Sequence, residues 1–115
     1  MRVEAMRVDC AEHAIAFACG VTVEDAEEGL WKCGRSIDHD GTTDAQIAAA
    51  VRWCDGNPVT LRSCPRTLRT FAREGRKGSY ILFTSDHVVA CVNGFLCDRP
   101  ENSDLARIEK VWKII

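Results

Sequence analysis

Apolar residues follow two rhythms along this chain. Up to about Cys54 they recur at helical spacing, and beyond Pro58 they gather in short β-rich runs. Asp9 followed by Glu12 is a capping-box spacing and Gly20 suits a helix C′ position, so Asp9 to Gly20 predicts a short, mostly buried helix. Arg2 to Val8 reads as a strand or extended lead-in, too short for a helix of its own. Thr22 then caps a second helix closed by Gly34, with Val23, Ala26, Leu30 and Cys33 on its packed face and Trp31 flanking it. Thr43 with Gln46 makes another capping box, opening a third helix to about Cys54 with Gly56 at its end. Its buried stripe is Ile47, Ala50, Val51 and Cys54. Pro65 and Gly75 bracket a fourth helix that turns Leu68, Phe71 and Ala72 inward.

Val59 to Leu61 predicts a short strand. Ser79–Thr84, His87–Val92, Phe95–Arg99 and Arg107–Ile115 predict four more, separated by turn residues. Helices first and an antiparallel sheet last is an α+β domain. The polar stretch Gly34–Thr42 reads as a loop. Asp38, Asp40 and Asp44 around Gly41 hint at a calcium loop, but the glycine is misplaced and no Glu stands at the twelfth position.

With 115 residues the chain is long enough for one core and too short for two. No apolar run approaches the roughly 20 residues of a membrane span, so the expected setting is cytoplasmic, with no membrane partner. Seven cysteines, none in C-x-x-C spacing, read as reduced thiols and not as a zinc ribbon. A net charge of −2 argues against general nucleic-acid binding. That charge is uneven: Arg62 to Lys77 holds six basic residues against one acid. Arg66, Arg69 and Arg73 line one helix face there, as a solvated surface or a site for an acidic partner.

Candidate chemistry lies at the two ends. A helix capped by Asp9 puts Cys10 at its first position, where unpaired N–H groups and the helix dipole favour the nucleophilic thiolate. Late in the chain, Asn93-Gly94 between apolar runs is a strong hairpin signal. A two-residue turn there sets Val92 opposite Phe95, His87 opposite Pro100 and Asp98 opposite Val89. Positions 87, 89, 98 and 100 then share a face, and His87 and Asp98 are diagonal neighbours about 7–8 Å apart at Cα. A carboxylate so placed can hold an imidazole in one tautomer. An ordinary His and Asp on a solvated sheet face fit the same pattern.

A cysteine at the first helix, further helices, a late strand begun by His-Val-Val-Ala and a following strand with Asp resemble the papain-like cysteine peptidase superfamily. The likeness is to its compact branch, the bacteriocin-leader-processing peptidases and small phage- or mobile-element-encoded proteins. It is carried by DCAEHAIAFACGVTVEDAEEGL, GSYILF before HVVA, and NGFLCD, over about Asp9 to Asp98. The resemblance implies a papain-like fold, Cys10 as nucleophile, His87 as general base and Asp98 as the residue orienting His87, with no cofactor. It implies a cysteine-dependent amide or peptide hydrolase, or acyl transferase, acting on a peptide or protein. One departure matters: that family usually has an oxyanion-binding Gln before the nucleophile, and Glu4 stands near that place. Arg2 or Arg7 as a substitute donor and Asn102 as an alternative third member are further options. A scaffold without efficient catalysis that binds a host protein is the competing expectation. A metal-binding regulator using Cys10, His13 and His87 is a third.

Overall fold

A computed structural model describes residues 3–32, 43–61, 67–85, 87–97 and 105–115, with the backbone alone for residues 3–10. Four helices, α1 (Val3–Cys19), α2 (Val23–Lys32), α3 (Asp44–Trp53) and α4 (Leu68–Arg73), accompany five strands. These are β1 (Pro58–Thr60), β2 (Ser79–Phe83), β3 (Val88–Val92), β4 (Phe95–Cys97) and β5 (Lys110–Ile114). The α+β order expected from the periodicity is the order observed.

Local chemistry explains most boundaries. Gly20, at φ +69°, ends α1, and the Val21 N–H bonds back to the Ala16 carbonyl at 3.1 Å, a Schellman closure. The Thr22 hydroxyl accepts from the Asp25 N–H at 3.0 Å and caps α2. Thr43 and Gln46 form the full reciprocal box at α3. Two ends differ from expectation. The left-handed residue after α3 is Asp55, at φ 69°, and Gly56 follows it because space is short. A Cβ on Gly56 would meet Val51 Cγ1 at 2.9 Å and Ile114 Cγ2 at 3.0 Å. The cap of α4 is Thr67, whose hydroxyl accepts from the Thr70 N–H at 3.2 Å; Pro65 lies outside the described residues. So do Cys33, Gly34 and the loop residues Asp38, Asp40 and Gly41.

The largest correction concerns α1. It begins at Val3, six residues ahead of Asp9, so Arg2 to Val8 is no strand or extended lead-in from Val3 onward. Val3 to Val8 holds no Gly or Pro to break a helix, and Glu4, Ala5, Met6 and Arg7 are good helix formers. Asp9 and Glu12 therefore sit inside the helix, and Glu12 is buried among its neighbours.

The strands form one antiparallel sheet in the order β1-β5-β2-β3-β4. Both faces of central β2 are covered. Ile81 and Phe83 join Ala11, Ile15, Ala18, Leu30, Ile47, Val51, Ala90 and Trp112 in a core beneath α1, α2 and α3. Tyr80 and Leu82 join Leu68, Phe71, Val89, Cys91, Ile108 and Val111 in a second core beneath α4. Phe83 meets Trp112 and Phe71 meets Tyr80 edge to face, at ring-centroid distances of 4.7 and 5.1 Å. Val111 and Trp112, adjacent on β5, are both buried, on opposite faces of the sheet.

The β3–β4 hairpin has the expected register, Val92 with Phe95, Cys91 with Leu96 and Ala90 with Cys97. Asn93 and Gly94 hold φ 52° and 88° as a type I′ turn demands. The Asn93 side chain also accepts from the Gly78 N–H at 2.8 Å. A Cβ on Gly94 would fall 2.9 Å from Gly75 Cα and 3.3 Å from the Ala72 carbonyl, which is backbone that does not yield. Gly75, at φ +63°, faces open space. Gly94→Ala is therefore expected to lose about 2 kcal/mol or more, and Gly75→Ala about 1 kcal/mol, in urea denaturation. Equal losses would contradict the close approach.

Candidate functional site

The sheet has two ends, and they orient the helices. Pro58 and Ser79 flank Ile114, and Ser79 pairs with Val92, at one end. Phe83 stands between Lys110 and Val88 at the other. His87 immediately precedes Val88 there, half-buried, its carbonyl accepting from the Thr84 N–H at 2.9 Å and the Thr84 hydroxyl at 3.2 Å. Helix α3 starts at this same end, where Asp44 pairs with Lys110, and finishes at the other, where Gly56 abuts Ile114. Cys19, at the close of α1, lies near enough to Cys54, at the close of α3, for their charges to interact. Helix α1 packs chiefly along β3. Followed back from Cys19 it rises about 1.5 Å per residue, roughly 13 Å over nine residues, toward the end where His87 stands.

Two expected features differ. Cys10 lies in the interior of α1, so its amide belongs to the helical ladder and the dipole, which fades within the first turn, does not favour its thiolate. Glu4 falls in that first turn, where a carboxylate suits a helix start. The face shared by positions 87 and 89 is the second difference: Val89 packs beneath α4, whereas Val88 packs on the α1 side. His87 stands before the strand, where the pleat no longer fixes its direction. This end of the sheet carries a further polar feature. The Lys110 ammonium lies 4.6 Å from the Phe83 ring centroid and 4.9 Å from that of Trp112 while paired with Asp44. That arrangement ties the start of α3 to β5, and no local signal in the sequence points to it. Asp98, Pro100 and Asn102 lie outside the described residues, as does Arg2; for Glu4 and Arg7 only the backbone is described.

On the helical wheel Cys10 shares a stripe with His13 and Phe17, three and seven residues on. Of the positions from Ala11 to Ala18, Phe17 is 51% exposed, whereas Ala11, Glu12, Ala14, Ile15, Ala16 and Ala18 are buried. His13 is half-buried, and its Nδ1 has no hydrogen-bond partner. No group of His, Cys, Asp or Glu among the described residues is arranged to hold a metal ion, and no helix there is long and apolar enough to cross a membrane.

Three of the other thiols, Cys19, Cys91 and Cys97, behave as core residues. Burial, with Cys54 nearby as a smaller cause, pushes the Cys19 thiol up to about 11. Burial also pushes Cys91 up to about 11 against a hydrogen bond from the Gly94 backbone, and raises Cys97 against one from Val92. All three are neutral thiols near pH 7, and neutral thiols are poor nucleophiles. Comparison with protein-family models, curated proteins and solved structures finds no match for the chain.

Cys19 and Cys91 are thus expected to alkylate slowly in the folded chain, with rates rising about tenfold per pH unit from neutrality toward pH 11. The same shift links to stability. The unfolded chain releases these protons near 9 and the folded chain near 11, so stability holds below pH 9 and falls as pH rises from 9 to 11. Mass spectrometry of iodoacetamide adducts and denaturation between pH 7 and 11 check both; fast labelling of Cys19 at pH 7 would contradict the first.

Proposed function

We propose that the chain is a thiol-dependent amide or peptide hydrolase, or acyl transferase, with Cys10 as nucleophile and His87 as its base on a papain-like arrangement of helix and sheet. The observation that carries this reading is the course of α1 along β3, which leads from the Ile114 end of the sheet toward the His87 end. In the reaction the imidazole removes the thiol proton and the thiolate attacks the substrate carbonyl. The amine leaves with that proton, and water or a second amine releases the acyl group from sulfur. Asp98 would orient the ring. With the Cys10 amide engaged in the helix, the oxyanion needs a side-chain donor, and loss of one such donor slows comparable reactions about 100-fold or more. A slow enzyme is the expectation.

A second reading has its own support. A nucleophile inside a helix that starts at Val3 suits a papain-like scaffold that binds a protein without catalysis. One experiment separates them: iodoacetamide labelling of all seven thiols at pH 7, in the native chain and in His87→Ala. The hydrolase reading expects Cys10 to react at least about tenfold faster than Cys19 and Cys91, and to lose that advantage in His87→Ala while the fold, followed by circular dichroism, persists. Cys10 reacting no faster than the others, with or without His87, supports the scaffold and removes the enzyme.

A further inference from the structure

Among the described residues, exposed charge is acidic on α2 and basic around α4. Helix α2 packs chiefly on α1 and α3, which makes it the outer layer of the helical side. Glu24, Asp25, Glu27 and Glu28 are all exposed on it, and none has an ion-pair partner among the described residues; Lys32 alone opposes them in that helix. Glu24 repels Glu27 and Glu28 at i+3 and i+4, and Asp25 repels Glu28 at i+3, each contact unfavourable to the helix. Trp31, on the same helix, is 45% exposed.

The other side of the sheet is basic. Beneath α4 the core is apolar, but Arg69 and Arg73 are exposed above it and Lys77 follows in the turn. Arg73 and Lys77 have no ion-pair partner among the described residues. Arg76 bonds Glu74 at 2.7 Å and lies over the Phe71 ring at 5.3 Å. The Gly94 turn is pressed against Ala72 and Gly75, which sets Phe95, 76% exposed, beside this basic corner. Arginine and exposed aromatic rings are the groups enriched where proteins dock.

The acidic helix and the basic corner lie on opposite faces of one sheet and cannot meet within a chain. We propose that they meet between chains, α2 of one copy docking on the Arg73, Lys77 and Phe95 corner of the next. Because the two surfaces differ, the contact is heterologous and repeats head to tail unless its rotation closes a ring. The contact rests on exposed charge, so salt weakens it. It involves neither Cys10 nor His87 and stands apart from the hydrolase reading.

Sedimentation velocity of the full chain tests it. At about 20 mM salt the average mass is expected to rise with protein concentration up to about 1 mM, and at about 500 mM salt the chain returns to a monomer. The double variants Glu24→Lys with Glu27→Lys, and Arg73→Glu with Lys77→Glu, are each expected to stay monomeric alone while retaining the native circular dichroism. Mixed, they regain complementary surfaces and associate. Phe95→Ser weakens association without altering its salt dependence. A native chain that is monomeric at low salt over this range, association that survives either reversal, or a mixture that fails to associate overturns the proposal.

Discussion

Burial of β2 on both faces is the constraint from which the architecture follows. Ile81 and Phe83 point one way from this strand and Tyr80 and Leu82 the other, all buried. A strand apolar on both sides needs a cover on each, and each fully buried large side chain contributes roughly 1.5–3 kcal/mol when it finds one. Three helices supply the first cover and α4, with Ile108 and Val111, the second. The covers are unequal, since α4 is a six-residue helix. Its position depends on contacts at its two ends: the Leu68 N–H donates to the Ala106 carbonyl, and the Gly75 turn meets Gly94.

That asymmetry shapes the central helix. Because α1 lies between β3 and α2, nearly every position from Ala11 to Ala18 is buried, and small residues dominate so that its backbone can approach β3 closely. Ala11, Ala14, Ala16 and Ala18 pack where larger side chains would force the layers apart. Between Ala11 and Cys19 the exposed side chain of this helix is Phe17, with His13 half-buried one turn before it.

The fold was legible wherever a local device set a boundary. Thr22, Thr43 with Gln46, Gly20, Gly75 and Asn93-Gly94 each satisfy or free backbone groups in their own few residues, and each acts as expected. Long-range consequences were not legible. Nothing local reveals that Gly56 is needed for want of room beside Ile114, or that Lys110 reaches Asp44 across 66 positions in sequence. For the candidate site, hairpin chemistry predicted the observed register up to Cys97 with Ala90, while Asp98 lies outside the described residues. Which face of β3 turns toward α1 was not available from alternation alone, because β3 is apolar on both sides: Val88 and Ala90 pack with the helices and Val89 and Cys91 with α4.

The misplaced start of α1 shows how narrowly such a boundary is decided. Asp9 offers a cap worth about 0.5–2 kcal/mol, and Glu12 the reciprocal bond. Against this, starting at Val3 adds helical hydrogen bonds through residues of good propensity and puts Glu4 in the first turn. It also lets Glu12 pack inside, where it is 5% exposed, instead of reaching back to a solvent-facing amide. The two arrangements differ by a few small terms, yet they give Cys10 opposite chemistry. At a helix mouth it would have free N–H groups and the dipole to hold it as thiolate; inside the ladder it has neither. The helix start therefore lends Cys10 no thiolate stabilisation, and this makes the reactivity of that one thiol a sensitive report on how the first two turns of α1 are arranged.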